Sequence, residues 1–493
     1  MITLYVLLLG STLLILVGNR LKNTLSKNLL KIIAFTLPIF LMIQGYLDTL
    51  SASFLLFVIP VSIIVSIYTS WYSNYKYKSN KLEILVDLFN LSIIYTFAFP
   101  NLIGFVALWT ISEIIGFLLV SYEGGPEAFR AGYRFFFLKA ATFEFSALTL
   151  IALLSTKINI DMVLLAKFHD LPILTVSPYY MILLIIGYTT TAALIPLHFW
   201  LPHAHSTAPA PASAILSGIT VKMGFYALLR LNDIIVFDIW LKYLLFVMGG
   251  ITCVYGFLML LSQQDYKRML AYSTVGNSGL IAVILSLYLL KPNSTYLYLA
   301  LITNIYAHGL YKASLFLNSG TVEVVTHTRI INKLNGLAAY TPLSSLASLF
   351  SILSVIGIPP TIGFIAKLLS IIGVLEYGLN SLSIAVLILI GYSILISLIY
   401  GVRILRIHWE AGEKRKQLQY TKIGILPQAA EIILSALSIA YGYIVPILAY
   451  TDIVFVLSLV NLFSLLIIIV LVYTFYFNIR LRIIHGGIAS IAR

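Results

Sequence analysis

The chain has 493 residues, 60% of them hydrophobic and only 10% charged, with a mean hydropathy of +1.00. Soluble domains carry about 25% charged residues, so a soluble globular protein is excluded and the lipid bilayer is the expected surrounding. The formal charge of +13 reads as cytoplasmic Lys and Arg that orient helices, not as a nucleic-acid interface. Apolar runs long enough to cross a bilayer lie near 2–18, 29–47, 53–72, 83–100, 101–122, 133–155, 174–200, 208–230, 239–263, 268–290, 294–319, 342–375, 381–403, 428–449 and 451–478. They predict an all-α polytopic membrane protein of about fifteen transmembrane helices.

The first run has no basic residue before it and is followed by Arg20, Lys22 and Lys27, the order of a spanning helix rather than of a cleaved leader. Alternate loops then collect the cations: Lys76, Lys78 and Lys81; Arg130 and Arg134; Lys267 and Arg268; Arg329 and Lys333; Arg403, Arg406, Lys414, Arg415, Lys416 and Lys422; Arg480 and Arg482. The opposite loops hold Lys157, Lys167, Arg230, Lys242 and Lys291, mixed with Asp48, Asp161, Asp170 and Glu376. The asymmetry predicts a cytoplasmic membrane protein with its N-terminus outside and its C-terminus inside. The longest polar connection, 408–422, is too short to fold alone. A single cysteine, Cys253, excludes a disulfide framework and cysteine-ligated iron–sulfur clusters within the chain. No phosphate loop, dinucleotide fingerprint or dense His/Asp/Glu cluster is present, so no cofactor is expected on this chain.

Charges in the middle of spanning helices cost about 2.5–3.5 kcal/mol each and point to function. Glu113 lies halfway along LWTISEIIGFLLV, Lys139 and Glu144 share FFFLKAATFEFSAL, and Lys222 is central in SAILSGITVKMGFYALL. His308 and Lys312, four apart in NIYAHGLYKASLFL, share a helical face. Lys367 follows the helix-breaking GIPP of SVIGIPPTIGFIAKLLSII. Blander roles compete at some sites. Lys139 and Lys312 can snorkel, Glu144 can be a static interhelical partner, and His308 a packing residue. Prolines 196, 202, 209 and 211 interrupt one apolar stretch, and Pro359 and Pro360 another. They free backbone carbonyls, which a membrane tolerates only beside protein or a water-filled cavity. Paired interruptions of this kind point to an inverted-repeat transporter.

At these residues the chain resembles the antiporter-like, proton-translocating subunits of respiratory complex I (the N, M and L subunits of NADH-quinone oxidoreductase). Mrp cation/proton antiporters and membrane-bound hydrogenases share these subunits. The resemblance rests on PLHFWLPHAHSTAPAPASAILSGITVKMGFYALLR at 196–230, QQDYKRMLAYSTVGNSG at 263–279, AHGLYKASLFLNSG at 307–320 and GIPPTIGFIAK at 357–367. It implies N-terminal helices over 1–80, inverted five-helix units over 81–235 and 236–405, each with a broken helix, and further helices over 406–493. It also implies a hydrated midplane chain in which Glu113, Lys222, His308, Lys312 and Lys367 match the family's charged positions. Implied partners are the other membrane subunits of a complex I-like or Mrp-like assembly. Lysine at 367 and the lack of a long lateral helix resemble subunit N more than M or L. One departure stands out: the lysine that the family pairs with the Glu113 position is replaced by Thr191, so either Lys139 supplies the cation, the favoured reading, or the first half-channel works differently or is inactive.

Overall fold

The structure is a computed structural model that describes residues 2–410 and 421–448. The expected span at 451–478, Arg480, Arg482 and the basic run 414–416 lie outside the described residues. The helices in chain order are α1 (Ile2–Gly18), α2 (Thr24–Thr36), α3 (Ile39–Ile43), α4 (Thr49–Tyr77), α5 (Lys81–Ala98), α6 (Leu102–Val120) and α7 (Gly125–Ser155). There follow α8 (Ile160–Leu165), α9 (Pro178–Thr191), α10 (Trp200–Thr207), α11 (Ala210–Ile215), α12 (Val221–Ile234), α13 (Ile239–Leu261) and α14 (Tyr266–Leu290). The last are α15 (Thr295–Thr326), α16 (Pro342–Ile356), α17 (Ile362–Tyr377), α18 (Ser381–Trp409) and α19 (Ile425–Leu448).

Side-chain caps start several of these helices by accepting from amides that have no intrahelical partner. Asp48 accepts from Ser51 N–H at 2.8 Å, Asp265 from Arg268 N–H at 2.9 Å and Asn380 from Ser383 N–H at 3.0 Å. Proline sets the interruptions. The expected helix at 29–47 begins earlier, at Thr24, and is divided at Leu37–Pro38. The stretch at 174–200 stops at Thr191 and resumes at Trp200, and the stretch at 342–375 is broken between Ile356 and Ile362. Between α11 and α12, residues Leu216–Thr220 form a π turn, so 210–234 runs on as one helix with a local bulge.

Among the described residues, nine helices are long and apolar enough to cross a membrane. α5 and α15 are outside that set because each carries polar and charged groups along its length. Both are nonetheless largely buried, α15 from Leu297 to Thr326 almost without interruption. The bundle therefore places polar groups inside and large apolar side chains outside. Phe137, Phe145, Leu148, Ile388 and Leu395 are all exposed on that outer surface, as lipid contact requires. Small residues let helices approach closely. Between α13 and α14 a Cβ on Gly279 falls 2.2 Å from the Cys253 nitrogen, and one on Gly256 falls 2.3 Å from the Gly276 nitrogen.

Candidate functional site

The mid-helix charges singled out in the sequence fall into two groups. The first lies between α6 and α7. Lys139 Nζ is 3.0 Å from Glu113 Oε1, and both side chains are essentially inaccessible. Trp109 Nε1–H donates to the same carboxylate oxygen at 3.0 Å. The ammonium lies over the rings of Phe135 and Trp200, 4.6 and 5.0 Å from their centroids, so aromatic faces supply the remaining stabilisation. Trp200 opens α10 and is pinned by Nε1–H donation to Thr190 O at 2.9 Å, which ties the pair to the first helix break. Lys139 does not snorkel. Glu144 is half-buried, accepts from the Thr110 hydroxyl at 2.6 Å and lies within Coulomb range of Glu113.

The second group is built on α12, α14, α15 and α17. Lys222 follows the π turn, and its Nζ donates to Ser217 O at 2.5 Å; such turns often mark functional positions. Lys312 Nζ donates to Leu270 O at 3.0 Å and to the Ser273 hydroxyl, with the Tyr400 ring centroid 5.9 Å away. His308 lies within Coulomb range of both lysines. Lys367 Nζ donates to Val355 O at 2.7 Å and Ile356 O at 2.6 Å. These are carbonyls that α16 leaves open at the second break, at the negative end of its dipole. His308 and Lys367 line one small cavity with Asn277, Asn304, Tyr311 and Ser354; its size suits about one water molecule.

The three lysines share a chemical property. Among the described residues none is ion-paired with a carboxylate; carbonyls and hydroxyls hold them. A neutral partner does not lock the proton in place, so such an amine can exist in either protonation state. Neither ring nitrogen of His308 or His205 has a protein partner among the described residues. Buried polar groups nearly always have one, so both rings suit contact with water or a transient donor.

Several further groups lie outside the candidate residues read from the sequence. His205, within the PHAHS segment, stacks on Phe316 at 4.5 Å and lies within Coulomb range of Lys222, Lys267 and Lys312. Lys267, expected in an aqueous loop, is 1% exposed; its Nζ donates to Ala208 O at 3.2 Å and lies 3.3 Å from Glu323. Glu323 also pairs with Lys76 at 3.1 Å. These residues border a cavity of ≈ 510 Å³ at the surface, lined also by Glu123, Glu127, Asp265 and Arg329. It joins the loops that carry the basic residues, and Glu323 on its wall is the partner of Lys267. Lys27, also expected as a loop cation, is buried on α2 with Lys31; they pair with Glu83 at 2.8 and 2.5 Å, and Lys31 with Asp87 at 2.7 Å. Arg230 likewise turns inward, 2.5 Å from Asp48. On α19, Glu431 is fully buried and accepts from Asn318 Nδ2 at 3.0 Å.

Solved structures share this fold. The Mrp complex of Dietzia sp. aligns with TM-score 0.74 and 19% identity, over 91% of this chain and 94% of that one. A chain of the archaeal membrane-bound sulfane sulfur reductase aligns with TM-score 0.71 and 23% identity, over 89% and 93%. In sequence, hydrogenase-4 component B of Escherichia coli is 30% identical over 65% of this chain and 49% of its own. One subunit of the Na(+)/H(+) antiporter of Alkalihalophilus pseudofirmus is 28% identical over 82% and 53%. NADH-quinone oxidoreductase subunit M of Rickettsia typhi is 29% identical over 59% and 58%. The chain thus spans about half the length of these curated relatives. An M-type chain is thus among the relatives. The family model for NADH:quinone oxidoreductase/Mrp antiporter transmembrane segments matches residues 99–393, which covers both groups of buried charges and both broken helices, and the chain belongs to that family.

Proposed function

We propose that this chain is a proton-translocating membrane subunit of a complex I-like quinone oxidoreductase. Protons move along a hydrated midplane chain from Glu113 and Lys139 through Lys222, His308 and Lys312 to Lys367. The observation that carries this reading is the set of buried lysines held only by neutral acceptors, with His308 sharing a cavity with Lys367. Each protonation changes the field at the next site, so the groups titrate as a coupled set. Glu144 serves beside the first pair. The units over 81–235 and 236–405 are inverted repeats, an assignment supported by one broken helix and two lysines of the midplane chain in each. The basic ends of α4, α15 and α18 and the starts of α7 and α14 mark the cytoplasmic side of a cell membrane, with the N-terminus outside and the C-terminus inside. The cavity at Lys76 and Glu323 then opens to the cytoplasm.

The protein works with other membrane subunits, and electron transfer takes place on other chains. A second reading, exchange of Na⁺ for H⁺ in an Mrp-type assembly, is favoured by the 82% of this chain that matches the Na(+)/H(+) antiporter relative. Mass spectrometry of what copurifies from native membranes in mild detergent separates the two. Iron–sulfur and quinone-site subunits support the redox-driven pump. Small hydrophobic subunits without redox partners overturn it in favour of exchange.

A further inference from the structure

Glu431 lies on α19, beyond the matched family segment, and the midplane pathway gives it no role. Its carboxylate is fully buried where α19 meets α4, α15 and α16. Oε2 accepts from Asn318 Nδ2 at 3.0 Å, and Oε1 accepts from the Thr321 hydroxyl. Both donors are neutral, and among the described residues no cation lies within ion-pair distance. Burying a lone carboxylate without a counter-charge is costly, so the site is suited to hold a proton for part of the time.

Its neighbours are arranged to deliver and compensate that proton. Asn318 is fixed by four hydrogen bonds: Nδ2 donates to Glu431 and to Ser344 O at 3.1 Å, and Oδ1 accepts from Tyr266 OH at 3.0 Å and His408 Nε2 at 3.1 Å. Oδ1 cannot donate, so His408 carries a proton on Nε2. His408 Nδ1 is 3.0 Å from Ser345 Oγ, a hydroxyl that also reaches Thr341 O at 2.9 Å. When the imidazole is neutral, Ser345 donates to Nδ1. When it is protonated, Ser345 turns its hydrogen to Thr341 and accepts from Nδ1–H. The ring can thus change charge without moving. On the other side, the Tyr68 hydroxyl has two acceptors, Leu317 O at 3.0 Å and Thr321 Oγ1 at 3.1 Å. Donation to Thr321 points the hydroxyl chain toward Glu431. The titratable groups facing Glu431 are Tyr68 from α4 and Tyr266 from α14, with His408 of α18 behind Asn318. α15 and α16 present only amide and hydroxyl groups to it.

We propose that Glu431 is a further proton-binding residue of this protein, a buried carboxyl that takes up and releases one proton outside the midplane chain, linked to His408 by hydrogen bonds through Asn318. On uptake, the Thr321 proton passes to Oε1, the Tyr68 proton passes to Thr321, and a hydronium ion restores the Tyr68 proton and leaves water; release reverses these transfers. Further along α19, Ser438 donates to Ser354 Oγ at 2.8 Å, and Gly442 packs on the break, where an added Cβ falls 2.5 Å from Pro360 O. The helix that carries Glu431 therefore also braces the turn that presents carbonyls to Lys367. The use of the site in transport rests on the proposed function; its protonation does not.

The test is pH-difference infrared spectroscopy of the purified assembly in lipid nanodiscs, for the wild type, Glu431→Gln, Glu431→Asp and His408→Gln. The expected result is a protonated-carboxyl band that grows as pH falls, is absent in Glu431→Gln, and persists with a displaced midpoint in Glu431→Asp and His408→Gln. Identical difference spectra of wild type and Glu431→Gln overturn the proposal. Proton flux is measured on the same preparations beside Lys222→Met. Loss of flux in Lys222→Met with full flux in Glu431→Gln overturns a transport role for Glu431 alone. Full flux in assembled Lys222→Met is a failure of the midplane reading and leaves the Glu431 band to be judged separately.

Discussion

Replacing Lys139 by methionine leaves the Glu113 carboxyl without its cation in the most enclosed part of the first charge group. At 3.0 Å, the direct attraction is about 5–6 kcal/mol at an effective dielectric constant near 20. Desolvation of both ions offsets much of this, so the pair itself contributes little net stability. Breaking it is a different matter. An orphaned buried charge costs about 3–5 kcal/mol, which Glu113 avoids by taking up a proton. Lys139→Met should therefore fix Glu113 in its neutral form and lower proton flux at least about tenfold, the equivalent of about 1.4 kcal/mol in a rate. Glu113→Gln should lower flux comparably and leave Lys139 over its two aromatic rings. The double variant should be little worse than either single one, with a coupling energy of about 0.5–3 kcal/mol between contacting residues. The assay is dye-reported proton uptake by proteoliposomes containing the purified assembly, with thermal unfolding of the same samples as the stability readout. Simply additive effects of the two substitutions on flux would refute the reasoning that Lys139 takes the place vacated at Thr191.

Other perturbations follow from the same geometry. Gly279→Ala places a methyl group 2.2 Å from the Cys253 nitrogen; it should separate α13 from α14 and lower the thermal midpoint, while Gly391→Ala, with nothing within 4 Å, should not. Lys31→Ala strips Glu83 and Asp87 of their shared cation and should cost about 3–5 kcal/mol, seen as lower yield of assembled protein. Asp48, at the aqueous end of α4, is pushed up by burial, but hydrogen bonds and charge from Arg230, with Ser51, outweigh this and hold its carboxyl below the ordinary 3.8. A depressed carboxyl contributes stability above its unfolded pKa and loses it as pH falls through the folded value. The Asp48→Asn variant should thus be less stable than wild type near neutrality, and the gap should close below about pH 3.8 in acid unfolding followed by tryptophan fluorescence.

The clearest signals in the sequence are charges with nowhere else to go. Glu113, Lys222 and Lys367 each interrupt an apolar run, and the cost of placing a charge there makes them visible without a structure. The two breaks are equally plain because proline removes a donor wherever it falls. Lys27 and Lys31 give no such signal. They sit on a helix amphipathic enough to pass for a loop margin, and their acid partner lies 56 and 52 residues onward. Lys267 and Arg230 stand at helix ends, where orientation by positive charge places them in water; only packing turns them inward. The Glu113–Lys139 contact joins two helices, and the choice of Lys139 over other cations comes from a missing lysine at Thr191 rather than from any local pattern. Glu431 is legible as an acid in an apolar run but lies outside the motif-bearing segments. Its amide and hydroxyl partners on α15 carry no charge to betray them.

The most direct test of the midplane chain is proton flux through the reconstituted assembly with Lys222→Met or Lys367→Met in place of the wild type. Removing either ammonium takes away one proton-carrying group but orphans no acid, so both variants should assemble normally. The account predicts assembled protein whose flux falls at least about tenfold. Full flux in either assembled variant would contradict it.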